Sequence, residues 1–113
     1  MTEKKSKKSP LKAKFRSSKV WRDFRKEMMI KQKNIDPITG SKLLSKCNLH
    51  HRLQDLDLDE YKDVSNPENF VMINSQTHDC IHYMLRYIKK EGWAFVERLE
   101  KELKLEAEMN GYI

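Results

Sequence analysis

Apolar and polar positions along this chain change period several times, and each change marks an element. From Ser17 to about Asn34, Trp21, Phe24 and Met28 recur at i, i+3 and i+7, the repeat that places side chains on one face of a helix. Ser17 or Ser18 is placed to cap its start, and Pro37 lies beyond its end. Leu43 to His51 reads as a short strand. Phe70-Val71-Met72-Ile73 is a second apolar run, rich in strand formers. Ser75 follows as an N-cap for a helix predicted through about Lys90, with Ile81, Leu85 and Ile88 as its apolar stripe. Gly92 interrupts, and Val96, Leu99, Leu103 and Ala107 then repeat at helical spacing. The pattern predicts an α+β fold: a hairpin and the helix after it, flanked by an N-terminal and a C-terminal helix.

Turn chemistry joins these pieces. Asp36-Pro37-Ile38-Thr39-Gly40 reverses the chain, since proline fixes φ, the aspartate can bond nearby backbone and the glycine accepts positive φ. Asp55 to Asn69 is polar, acidic and bounded by Asn66-Pro67, so it reads as a long loop, a kind that is often functional. Asp55-Leu-Asp57-Leu-Asp59 superficially suggests a calcium loop. Its sixth position is Glu60, where glycine is needed, and its twelfth is Asn66 rather than glutamate, so a solvated acidic surface is the better reading. Residues 1–16 are lysine-rich with almost no apolar periodicity and are expected to form a basic, mobile arm before a single domain over 17–113. The aromatic residues Trp21, Phe24, Trp93 and Phe95 lie in amphipathic segments and are expected in the core.

Composition narrows the classes. A chain of 113 residues, 38% hydrophobic and 35% charged, suits one soluble domain with an economical core. No apolar run approaches the ~18 to 20 residues of a membrane span, and the lysine-rich start lacks the apolar stretch of a secretory signal, so a cytoplasmic, intracellular protein is expected. Cys47 and Cys80 stand alone and are expected to be buried free thiols. Net charge is +6, with 13 Lys/Arg against 3 Asp/Glu in residues 1–34. Such a concentration is drawn to a polyanion through release of condensed counterions, although lysine-rich ends also serve simply as solubilising tails.

All four histidines fall in or beside the strand-loop-strand-helix unit. His78 and His82 are four apart on the predicted helix, so both rings leave one face and can reach one ion. His50, at the end of the preceding strand, can supply a third nitrogen and leave positions open for water or phosphate, as catalytic metal sites require. Adjacent side chains on a strand point to opposite faces, so His51 looks away from an ion that His50 binds. A neutral imidazole there can take a proton from water, because its ordinary pKa of about 6.5 lies near working pH. Asn69, at the far end of the loop, can pin the loop through amide hydrogen bonds. Arg52 and Arg86 are candidate phosphate contacts near the metal.

The pair His50-His51, then Asn69 followed by Phe70-Val71-Met72-Ile73, then His78 nine residues after that asparagine and His82 after three more, resembles the HNH nucleases, also called ββα-metal or His-Me finger nucleases. The H-x-x-x-H ending is similar to the colicin version, and Phe15-Arg16-Ser17-Ser18 with Trp21-Arg22-Asp23-Phe24-Arg25 is similar to a helix that precedes the motif in small phage-type members. The resemblance covers about Ser17 to Lys90, with a core motif over 43–90. It implies a ββα-metal hairpin-plus-helix core, His50, His78 and His82 as ligands of one divalent ion, His51 as general base, Asn69 as the structural asparagine, and products with 5′ phosphates. Many such proteins bind a structural zinc through two C-x-x-C pairs. Here Asp36-x-x-Thr39 and Asn74-x-x-Thr77 occupy those places, so no structural zinc is expected and apolar packing must hold the hairpin.

The sequence therefore predicts an endonuclease acting on DNA, with RNA left open, by a single-metal mechanism. Three imidazoles favour Zn²⁺ or Ni²⁺ in affinity, whereas Mg²⁺ or Mn²⁺ is expected for turnover. The alternative is a non-catalytic nucleic-acid-binding module in which Lys4, Lys5, Lys7, Lys8 and the first helix grip phosphates. Small size argues for low sequence specificity or for a partner protein that supplies targeting.

Overall fold

The computed structural model describes residues 10–53, Val64 and residues 66–113. In chain order these form α1 (Pro10–Arg16), α2 (Lys19–Lys31), β1 (Cys47–His51), a 3-10 turn (Pro67–Asn69), β2 (Phe70–Asn74), α3 (Ser75–Glu91) and α4 (Ala94–Met109). Helices and one two-stranded antiparallel hairpin make an α+β protein. The chain divides into two compact units, Met1–His78 and Asp79–Ile113.

The first unit is built on the face of α2 that the i, i+3, i+7 repeat marks. Ser18 Oγ caps the helix by accepting from the Trp21 N–H (3.3 Å). Trp21, Phe24 and Met28 are buried and cluster with Leu43, Phe70 and Met72. Phe70 is the centre of this cluster: the ring of Phe24 meets it edge-on at 4.9 Å and that of Trp21 at 6.0 Å. Aromatic pairs in this geometry contribute roughly 0.5–1.5 kcal/mol each beyond their area burial.

Residues 10–16, expected within the mobile arm, are helical instead. The reason is Phe15, which sets its ring edge-on to Trp21 at 5.5 Å and so gives α1 an apolar contact that a purely basic segment lacks. Lys4, Lys5, Lys7 and Lys8 of the expected arm, and the acidic residues 55–60, lie outside the described residues.

In the hairpin, β1 and β2 pair with Cys47 opposite Asn74, Leu49 opposite Met72, His50 opposite Val71 and His51 opposite Phe70. All five residues of β2 are buried. Its outer edge is closed by Gln32 at the end of α2, whose amide accepts from the Met72 N–H (2.8 Å) and donates to the Met72 carbonyl (2.9 Å), as a neighbouring strand would. The first strand is shorter than the Leu43–His51 expectation. Leu43 N–H donates to the Asn34 carbonyl (2.8 Å) and Leu44 N–H to the Asn74 side chain (2.7 Å), so their backbone groups serve a loop and a side chain rather than the ladder.

In the second unit, burial is sparser than periodicity suggested. Ile81 and Ile88 are half-buried, whereas Leu85 is exposed; on α4, Val96, Leu99 and Ala107 are half-buried and Leu103 is exposed. Phe95 stacks on Tyr87, rings 4.9 Å apart and 12° from parallel. Trp93, expected in the core, is 66% exposed. It stands at the corner after Gly92, where a φ of 80° ends α3, and that corner aims its ring outward. The expectation of buried thiols also fails in part, since Cys47 is half-buried and Cys80 exposed. Among the described residues no helix is long and apolar enough to cross a membrane.

Candidate metal centre

No residue separates β2 from α3. Asn74 ends the strand and Ser75 begins the helix. That junction puts His78 in the first turn of α3 and His82 one turn further along the same unbroken helix. Register puts His50 opposite Val71 on β1, where it is buried, 5% exposed, while His51 beside it is half-buried. The rings of His50 and His78 meet edge-on with centroids 5.2 Å apart. One ligand atom from each of His50, His78 and His82 lies within 4.8 Å of the others.

Those three residues could hold a metal ion. At metal–nitrogen distances of about 2.0–2.1 Å, neighbouring ligand atoms around an ion stand roughly 3–3.5 Å apart, so small side-chain rotations close the set. The donors are all imidazole, which suits borderline transition ions, and His78 and His82 are half-buried, which leaves one side of the group accessible.

Asp36, expected to close the 36–40 turn and the first residue of Asp36-x-x-Thr39, holds this junction. Asp36 is fully buried, and its carboxylate is surrounded by donors. Ile38 N–H (2.8 Å) and Thr39 N–H (3.2 Å) donate to Oδ1; Asn74 N–H (2.9 Å) and the Thr77 hydroxyl (2.8 Å) donate to Oδ2. One side thus closes the 36–40 turn and the other grips the start of α3, next to His78. Asn74 extends the knot, accepting from Leu44 N–H (2.7 Å) and donating to the Lys42 carbonyl (3.1 Å). Burial pushes the Asp36 carboxyl up, but the hydrogen bonds from Asn74, Thr77, Ile38 and Thr39 outweigh it and hold the group below the usual carboxylate range. The positive end of the α3 dipole favours the same charge. Apolar packing was expected to hold the hairpin alone; a buried, charged hydrogen-bond knot shares that task, made by Asp36 together with Asn74 and Thr77 from the two four-residue segments singled out in the sequence. Their matched spacing was the available signal.

His51 is set against Phe70, ring centroids 4.4 Å apart, and its Nδ1 accepts from the Leu53 N–H (3.1 Å). In the neutral ring the proton therefore sits on Nε2. Arg52 works on the backbone of the turn: its N–H donates to the Asn69 carbonyl (2.7 Å), and its guanidinium donates to the carbonyls of Glu68 and Phe70. Asn69 thus ties the two sides of the loop through its main chain. Arg86, the other candidate phosphate contact, is exposed one turn beyond His82 on α3, with its guanidinium 5.2 Å from the centre of the Tyr83 ring.

Comparison with family models, with curated proteins and with solved structures returned no match.

Proposed function

We propose that this chain is a metal-dependent endonuclease of the ββα-metal type, hydrolysing phosphodiester bonds of DNA. The observation that carries the reading is the group of three histidine ligand atoms, drawn from a strand and from the first two turns of the following helix, with a fourth histidine on the opposite face of that strand. In this reading His50, His78 and His82 hold one divalent cation. When bound, such an ion neutralises charge that builds on the phosphate and on the departing 3′ oxygen. His51 takes the proton of the attacking water at Nδ1, the ring atom with a lone pair, once the Leu53 N–H yields that atom. Asn69 and Arg52 fix the loop end beside His51, and Asp36 fixes the root of the helix that carries two of the ligands.

Cleavage of plasmid DNA and of a single-stranded DNA with Mg²⁺, Mn²⁺, Zn²⁺ or Ni²⁺ tests this. The expected result is nicking or linearisation that EDTA stops, and loss of cutting in His51→Ala with metal affinity retained. Wild-type rates in His51→Ala remove the proposed base, and absence of cutting of both plasmid and single-stranded DNA by the wild-type chain with every ion removes the enzyme. One observation favours a second reading, a non-catalytic nucleic-acid-binding module: the lone pair a base would use is already engaged by Leu53. A binder of that kind shifts DNA on a gel in EDTA and never cuts it.

A further inference from the structure

Beyond the ligands, α3 carries a second pattern. Tyr83, Arg86, Tyr87 and Lys90 stand at i, i+3, i+4 and i+7 and so share one stripe, which begins beside His82 and runs along the helix away from it. Tyr83 is 55% exposed and Tyr87 42%, large values for rings on a helix of a small domain. They are not scattered: the two rings lie 5.5 Å apart, Tyr87 is braced from behind by the parallel ring of Phe95, and the Arg86 guanidinium sits over Tyr83. Lys89 and Lys90 add positive charge in the last turn.

We infer that this stripe, which starts beside His82, is a binding track for single-stranded nucleic acid, and that the substrate is a strand with unpaired bases. As a statement about substrate this rests on the nuclease reading above; as a statement about binding it stands apart from it. Tyrosine faces can stack only on bases that are not enclosed in a duplex, and arginine and lysine beside them answer the phosphates. The spacing is informative as well. Rings 5.5 Å apart exceed the rise of about 3.4 Å between stacked bases of one strand, so the pair suits two bases of an extended strand rather than a helical one. A protein partner fits the stripe poorly, because no aliphatic side chain interrupts the alternation of tyrosine and cation.

The experiment is fluorescence anisotropy with a labelled 12-nucleotide DNA strand, the same strand as a duplex, and the same length of abasic strand, in EDTA at 150 mM salt. Single strand binds at least about tenfold more tightly than duplex or abasic strand, and Tyr83→Leu lowers single-strand affinity about tenfold without moving duplex affinity. Arg86→Gln lowers it too and flattens its salt dependence. Equal affinity for all three nucleic acids, equal affinity for a polyglutamate peptide, or a Tyr83→Leu protein that binds as wild type overturns the track. Tight single-strand binding without any cleavage under the ions above ends the enzyme reading and leaves the track standing. Metal-dependent cutting of duplex with no strand preference does the reverse.

Discussion

Replacing Asp36 by Asn is the most searching change this fold offers, because it keeps shape and volume while altering one oxygen. The carboxylate accepts four hydrogen bonds, two on each oxygen, from donors at 2.8–3.2 Å. An amide presents one acceptor and one donor, so whichever way it turns, two donors face an NH₂ group. Hydrogen bonds to a charged partner contribute about 1.5–3 kcal/mol each, and buried donors left without acceptors add their desolvation cost. Rotation of the Thr77 hydroxyl recovers part of this, leaving an expected loss of about 3–5 kcal/mol, a large share of the roughly 5–15 kcal/mol that holds a typical domain. Urea denaturation followed by circular dichroism measures it, with the midpoint falling and the slope unchanged. The pH dependence must agree in sign. Folding depresses the carboxyl below its ordinary value of 3.8, so its contribution is fully present above that value and disappears as pH falls through the folded pKa. Asp36→Asn should therefore lose stability at pH 7 and show a shallower acid limb than the wild type. A loss under 1 kcal/mol at pH 7, or an unchanged acid limb, refutes the reasoning.

Other consequences are more direct. His50→Ala and His78→Ala should each weaken Zn²⁺ or Ni²⁺ binding by roughly a hundredfold or more in calorimetric titration, since each removes one of three nitrogens. Metal at about 100 times its dissociation constant should stabilise the wild-type chain by about 2.7 kcal/mol, seen as a raised melting temperature that EDTA reverses. Phe70→Ala should cost about 3–5 kcal/mol in urea denaturation, because it empties the place where Trp21 and Phe24 meet the hairpin. Gln32→Ala uncovers the Met72 backbone on the outer edge of β2 and should cost about 1–2 kcal/mol, with faster amide exchange at Met72.

The elements that were legible in advance are those whose information is local. Trp21, Phe24 and Met28 on α2, the apolar run of β2, and His78 with His82 one turn apart all follow from period alone, because neighbours along a helix or strand are fixed by backbone geometry. Residues whose role depends on distant partners were not legible. Asp36 looks like an ordinary turn aspartate until Asn74 and Thr77, 38 and 41 residues later, arrive at its second oxygen. Phe15 and Trp93 departed from expectation for nearer causes: Phe15 sits in a basic segment but has Trp21 as a face to meet, and Trp93 follows Gly92, whose positive φ ends α3.

What the amino-acid order determined by itself was which side chains share a face: the core stripe of α2, the alternation that separates His50 from His51, and the i, i+4 pair of imidazoles. Only the tertiary structure decided that strand and helix meet without a connecting residue, and that a buried carboxylate clamps their junction. Periodicity acts over a few residues, whereas bringing His50 together with His78 and His82 requires the chain to return on itself, and the bonds that clamp the strand–helix junction to Asp36 come from residues far apart in sequence.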